Sequence, residues 1–398
     1  MSLDRDTATA ERLILAVGGG QAGLDRALRD LDPPEVAALL VSEIAFRSDP
    51  ALNPHEMHVL LDLTHGAHRE THTFTVAAGQ PVRAVPRALE TACVRLEFEL
   101  AELARLLYGP QAGRATGTHR TELLLERPAV RERYASSLRE VWPSIGQAVD
   151  TVLRPCRGRA PDLGELAVRY GSDKWGLLHW FTPHYERFLG PLRDQPVRVL
   201  EIGIGGYKDP SAGGESLLMW KRYFPRGLVF GLDVFDKHGL DQPRITTLTG
   251  DQNDPGYLAG VAERYGPFDV VIDDGSHINE HILTSFQALL PHVRAGGVYV
   301  IEDLWTSYCP GFGGETGSAA GPSTSLGLLK SLVDAVHHEE WSADVGPAGQ
   351  ASALVTGVHI HHNIAFVEKG TNAEGGIPPW IPHSFDELVA EPVTASAS

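Results

Sequence analysis

The chain has 398 residues, and 34 Lys plus Arg against 51 Asp plus Glu give a formal charge of −17. At about 150 residues per domain this length predicts two domains, and 42% hydrophobic with 21% charged residues can build a core, which excludes wholesale disorder. The acidity argues against a protein whose work is gripping nucleic acid or anionic lipid, and no apolar run reaches the roughly 18 residues of a membrane span.

The N-terminal stretch MSLDRDTATAERL lacks the basic-then-apolar pattern of a signal peptide. Cys93, Cys156 and Cys309 are too scattered for a disulfide framework or a zinc signature. A cytoplasmic protein is the expectation.

Residues 1–156 read as α+β. Leu13 to Val17 and Pro34 to Phe46 place apolar residues at helical spacing. His58 to Thr64 and Glu70 to Ala77 predict strands joined by a turn at Gly66, Val94 to Glu99 a further strand, and Leu100 to Tyr108 a short helix. This part carries no chemical motif and is expected to be an accessory or oligomerisation domain. Gly109 to Thr118 reads as a loop and Pro128 to Leu153 as one helix. The basic, Pro-containing stretch from Arg154 to Pro161 is the expected boundary, with a second domain over 157–398.

From Val197 the pattern becomes alternating. Strands are predicted over Val197 to Ile202, Leu228 to Asp233, Arg244 to Thr249, Phe268 to Asp273 and Gly297 to Glu302. Helices are predicted over Ser216 to Tyr223, Asp254 to Tyr265 (with Asp254 as N-cap) and His281 to Val293. Such alternation predicts a parallel sheet covered on both faces. Val358 to His361 and Ile364 to Lys369, meeting at His362 and Asn363, predict an antiparallel hairpin. Together these describe an α/β, Rossmann-like class I methyltransferase domain closed by a hairpin.

Glu201-Ile-Gly203-Ile-Gly205-Gly206 follows the first of these strands, where glycine lets a backbone approach a ligand. A dinucleotide fingerprint needs another glycine where Lys208 stands, which disfavours a dehydrogenase. The E-x-G-x-G form is instead similar to loops that hold S-adenosylmethionine. Asp233, ending the second strand, is placed to accept ribose hydroxyls. Asp251 and Gln252 follow the third, either against an adenine or as ordinary loop residues.

Asp273-Asp274-Gly275-Ser276-His277 ends the fourth strand and Glu302-Asp303 the fifth. Four carboxylates at neighbouring strand ends repel one another unless a cation neutralises them. Hard oxygen donors without cysteine suit Mg²⁺. Asp274 with one or both of Glu302 and Asp303 are the candidate ligands, while Asp273 is expected to be structural or cofactor-facing. His277, three residues past Asp274, is the candidate proton acceptor. His359, His361 and His362 have no carboxylate partner near in sequence and are read as hairpin or core residues.

Tyr170 to Trp175, Leu178 to Tyr185, Leu200 to Tyr207, Gly250 to Gln252, Ile272 to Ile278 and Val300 to Trp305 together resemble the sugar O-methyltransferases of macrolide and aromatic polyketide antibiotic pathways. The resemblance implies S-adenosylmethionine, Mg²⁺, a glycosylated polyketide substrate and a homo-oligomer, expected to be a tetramer. It carries Tyr170 over as a cofactor contact beside Glu201, Gly203, Gly205, Asp233, Asp251, Gln252 and Asp274. Asp274, Glu302 and Asp303 are implied as metal ligands and His277 as the base. A metal-dependent catechol or phenol O-methyltransferase and a non-catalytic S-adenosylmethionine-binding protein are the alternatives.

Overall fold

A computed structural model describes residues 3–52, 54–110, 119–134, 138–157, 161–176, 178–341, 349, 351–378, 380–382 and 384–389. Most of the expected Gly109–Thr118 loop and residues 158–160 of the expected boundary lie outside them. The chain divides into two compact units, Met1–Asp251 and Gln252–Ser398.

The first unit holds α1 (Leu3–Gly18), α2 (Gly20–Asp30), α3 (Pro33–Arg47), β1 (Met57–His65), β2 (His68–Val76), β3 (Arg83–Val85), β4 (Val94–Glu99), α4 (Leu100–Tyr108) and β5 (Arg120–Leu123). It continues with α5 (Pro128–Arg133), α6 (Leu138–Leu153), α7 (Leu163–Tyr170), α8 (Thr182–Leu189), β6 (Arg198–Ile202), α9 (Glu215–Tyr223), β7 (Leu228–Asp233) and β8 (Ile245–Thr249). The second unit holds α10 (Pro255–Tyr265), β9 (Phe268–Asp273), α11 (Asn279–Leu289), β10 (Val293–Glu302), α12 (Ser325–Val336), β11 (Val355–His361) and β12 (Ile364–Lys369).

The first sheet runs β3-β2-β1-β4-β5. Its β1–β2 hairpin turns at Gly66, whose φ of 58° lies in the left-handed region that glycine enters freely. The expected single helix over Pro128 to Leu153 is instead two, because α5 ends where Tyr134 leaves helical geometry. The strands of the second sheet run β6-β7-β8 in the first unit and β11-β12-β10-β9 in the second. β6, β7 and β8 pair in parallel, β9 and β10 pair in parallel, and β12 pairs antiparallel with both β10 and β11. This is the α/β class I arrangement with its closing hairpin. No helix among the described residues is long and apolar enough to cross a membrane.

Within the first unit, a buried charge group ties α3 to the β7–β8 region. Glu43 accepts from Arg47 Nε at 2.6 Å, from Arg244 Nε at 3.2 Å and from the Tyr108 hydroxyl at 3.4 Å. The guanidinium groups spend their remaining donors on main-chain carbonyls. Arg47 reaches Leu107 and Pro225, and Arg244 reaches Lys221, Phe224 and Gly227. Burial alone would raise the Glu43 carboxyl, but Arg244, Arg47 and Lys221 outweigh it and hold it far below the carboxylate range. Burial pushes the Lys221 ammonium down to about 7 despite Glu43. Lys221 donates to Gln242 Oε1 at 2.8 Å and lies 4.1 Å from the Phe46 ring centre.

Removing one member of such a group strands the others as uncompensated buried charge. Glu43→Ala should therefore cost about 3–5 kcal/mol of unfolding free energy, read by urea denaturation. A loss under about 1 kcal/mol would show that the group is not stabilising.

Candidate active site

In the first unit, the last residue but one of β6 is Glu201, which is fully buried. Its Oε2 accepts from Ser216 Oγ at 2.8 Å and Trp220 Nε1 at 3.1 Å, both on α9. Its Oε1 lies 3.3 Å from the Nζ of Lys174, an equally buried lysine. Glu201 thus fastens α9 and the segment after α7 to the strand end. Lys174 was not singled out in the sequence, where nothing marks a lysine as the buried partner of a carboxylate 27 positions on.

The glycine loop leaves β6 at Gly203, whose N–H donates to Leu232 O at 2.8 Å. Gly203 and Gly205 have φ of 94° and 76°. The loop closes on itself, since a Cβ on Gly206 would stand 2.1 Å from Ala212 O and one on Gly213 2.5 Å from Ile204 O. Lys237, fully buried, donates to the carbonyls of Asp209 at 2.6 Å and Ala212 at 2.9 Å and so holds the loop's return. Asp233 accepts from Ile204 N at 3.0 Å and Phe235 N at 2.9 Å. A carboxylate has about four acceptor positions, so these two bonds orient Asp233 without exhausting it.

Tyr170 stacks on Phe46 of α3 with ring centres 6.1 Å apart, beneath the Arg169 guanidinium. Its hydroxyl is buried without a hydrogen-bond partner among the described residues. Burial raises this phenol above its ordinary range, against the pull of Arg169 and Arg222. Asp251 is exposed.

In the second unit, Gln252 is buried and both ends of its amide serve the turn after β9. Nε2 donates to Asp273 Oδ1 at 3.2 Å, and Oε1 accepts from Ser276 N at 2.7 Å. Asp273 also accepts from Ser285 Oγ and from the Tyr299 hydroxyl at 3.3 Å. Burial pushes its carboxyl up to about 6, against the pull of Ser285 and Gln252. Asp273 is thus wholly engaged inward.

The next residues turn outward. Asp274, His277 and Asp303 offer ligand atoms that all lie within 4.8 Å of one another. His277 Nε2 stands 3.5 Å from Asp303 Oδ2. Asp274 and His277 are half-buried, while Asp303 is buried. His277 and Asp303 both hold left-handed backbone, with φ of 57° and 55°, a conformation that non-glycine residues adopt at a cost. Glu302, the residue before Asp303, is buried at the end of β10 and stands outside the gathered group. Of the three expected ligands the fold gathers Asp274 and Asp303, with the expected base His277 beside them.

After Asp303 the chain makes two short 3₁₀ turns, Leu304–Tyr308 and Pro310–Phe312. Asn279, at the start of α11, donates to Thr306 O and Phe312 O and accepts from Ser325 N. Trp305 is exposed and meets Phe312 edge to face at 5.5 Å.

Parallel strands flanked by helices, a closing antiparallel hairpin, a glycine loop after β6 and an acidic group after β9 and β10 are the features of a class I methyltransferase. A family profile described as MycE methyltransferase N-terminal matches residues 10–119. The chain is 49% identical to demethylmacrocin O-methyltransferase of Streptomyces fradiae, over 98% of each chain. It is 47% identical to mycinamicin VI 2''-O-methyltransferase of Micromonospora griseorubida, over 96% of each. It is also 47% identical to a tetracenomycin rhamnosyl 3'-O-methyltransferase of Streptomyces olivaceus, over 95% of this chain and 97% of that one. A solved MycE methyltransferase structure in complex with Mg, SAH and mycinamycin VI superimposes with a TM-score of 0.88 at 46% identity, covering 96% of this chain and 98% of that one. The chain belongs to this family of S-adenosylmethionine-dependent antibiotic-sugar O-methyltransferases.

The self-closing glycine loop yields a direct check. Gly206→Ala should cost at least about 1 kcal/mol, because the added methyl meets Ala212 O and φ is positive. An unchanged melting temperature would mean that the loop does not close as described.

Proposed function

We propose that this chain transfers the methyl group of S-adenosylmethionine to a hydroxyl of a deoxysugar on a glycosylated polyketide, in a reaction that requires Mg²⁺. The observation carrying this reading is the convergence of Asp274, His277 and Asp303 within 4.8 Å. Two strand-end carboxylates beside a half-exposed imidazole are a donor set that suits a hard divalent cation. Asp274 and Asp303 would hold it, with Glu302 as the further carboxylate next in the chain. Bound there, Mg²⁺ would stabilise negative charge developing on the acceptor hydroxyl.

Gly203 and Gly205 present bare backbone to the methyl donor, and Asp233 keeps acceptor positions for its ribose hydroxyls. Tyr170, Glu201, Asp251 and Gln252 belong to the same proposed set. Glu201 and Gln252 act from behind, by holding the loops in shape. His277 takes the acceptor's proton at Nε2, which stands 3.5 Å from Asp303 Oδ2. The acceptor oxygen forms its bond to the methyl carbon as the carbon–sulfur bond breaks, leaving S-adenosylhomocysteine and a protonated His277. Holding both reactants in line accounts for much of the rate.

The relatives' names cover acceptors from macrolides to tetracenomycins, so a glycosylated polyketide is the substrate class and the individual sugar is set elsewhere. A cytoplasmic homotetramer assembled through residues 1–156 completes the proposal, and sedimentation velocity reads the assembly.

Chelation by EDTA should abolish transfer and added Mg²⁺ should restore it, whereas Asp274→Ala should stay inactive at high Mg²⁺. His277→Ala should keep binding S-adenosylhomocysteine and Mg²⁺ by calorimetry while its turnover falls by about 10²–10⁴. Turnover retained in His277→Ala would remove it as the base.

A further inference from the structure

We propose that Asn363, at the tip of the β11–β12 hairpin, is a positioning residue that aims the Asp303 carboxylate. The inference rests on Asp303 being a cation ligand, as proposed above. The register of the sheet creates the encounter. Glu302 pairs with Ile364 across the antiparallel β10–β12 ladder, so the next step along each strand brings Asp303 beside Asn363. Asn363 Nδ2 donates to Asp303 Oδ1 at 3.0 Å, and Asn363 Oδ1 accepts from Trp305 N at 2.7 Å. The main-chain oxygen of Asn363 accepts from Leu304 N at 3.3 Å. One residue of the hairpin therefore grips three consecutive residues, Asp303, Leu304 and Trp305.

The orientation of the amide follows from its neighbours. A backbone N–H needs an acceptor and a carboxylate needs a donor, so rotating the amide by half a turn would lose both bonds. The residue type follows as well. Asn363 has φ of 68°, a left-handed conformation open to glycine and comparatively well tolerated by asparagine. Glycine would serve the turn equally well, so the turn alone does not call for asparagine. Only the side chain supplies a donor for the carboxylate together with an acceptor for the N–H.

Asp303 is itself held left-handed at the point where the chain leaves β10. The bond from Asn363 occupies Oδ1 on the hairpin side, while Oδ2 is the oxygen that approaches His277. One carboxylate oxygen is thus anchored and the other presented. Groups that orient a ligand in this way commonly contribute 10–100-fold to metal affinity.

The test uses the full-length protein with Mg²⁺ as the probe, by isothermal titration calorimetry and by melting with and without the ion. Asn363→Gly keeps the turn and removes both side-chain bonds, and it should bind Mg²⁺ about 10–100-fold more weakly. Asn363→Asp keeps the acceptor for Trp305 but sets a second carboxylate against Asp303. The metal-free protein should then melt lower, and Mg²⁺ should raise its melting temperature by more than in the wild type, because the ion relieves the repulsion. Opposite changes in the two variants are the signature of contact with the carboxylate, which a role in the turn alone does not produce. A wild-type Mg²⁺ response in either folded variant overturns the proposal, and if Asn363→Gly fails to fold, Asn363→Asp decides alone. Asp303→Ala, run beside them, separates the two readings. If it binds Mg²⁺ as the wild type does, the cation site is wrong. If it loses Mg²⁺ while the Asn363 variants bind normally, only the role of Asn363 is wrong.

Discussion

A carboxylate taken out of water must be met by donors or cations, and this constraint organises the protein. Glu43 binds α3 to the segment before β8 through two arginines. Glu201 binds the end of β6 to α9 and to Lys174. Asp273 binds the end of β9 to Ser285, Tyr299 and Gln252. In each case the acid is a joint between separate elements, and the glycine loop and the Asp274–His277 turn start from the joints at Glu201 and Asp273.

The same constraint separates support from chemistry within a single motif. Asp273 and Asp274 are adjacent, yet strand alternation turns the first inward to a complete set of donors and leaves the second half-exposed. Asp273 is taken up by Gln252, Ser285 and Tyr299, whereas Asp274 stands with His277 and Asp303. Left-handed backbone at His277 and Asp303 has the same origin. Each chain turns sharply off its strand so that a side chain faces its neighbours, and hydrogen bonds hold it there: Gln252 to Ser276 in one turn, Asn363 to Asp303 in the other. The local cost, of the order of 1–3 kcal/mol per residue, persists because the surroundings determine the conformation.

How much of this was legible in the sequence depended on distance along the chain. Leu228 to Asp233 and Phe268 to Asp273 are mainly apolar runs ending in an acid, and the strands have those bounds. The helix α2 went unread because Gly20 and Gly23 open it and Leu24 and Leu28 are its only large apolar residues. The edge strands β3 and β5 have only three and four residues, too short to show a pattern of their own. That Asp274, His277 and Asp303 would lie near one another was readable because their motifs follow adjacent strands. Glu302 and Asp303 could not be told apart, since the turn between them is set by the hairpin sixty residues later. Arg244 with Glu43, Lys174 with Glu201 and Asn363 with Asp303 are pairings made only by folding.

The central claim is that the acidic group serves methyl transfer to a sugar hydroxyl. It is tested most directly by incubating the protein with S-adenosylmethionine, a glycosylated macrolide lacking the sugar methyl group, and a simple catechol, with and without Mg²⁺, and reading products by mass spectrometry. The account predicts a single methyl added to the sugar of the macrolide, only when Mg²⁺ is present, and an unchanged catechol. Methylation of the catechol with an untouched glycoside, or equal transfer to the sugar in the absence of any divalent ion, would contradict it.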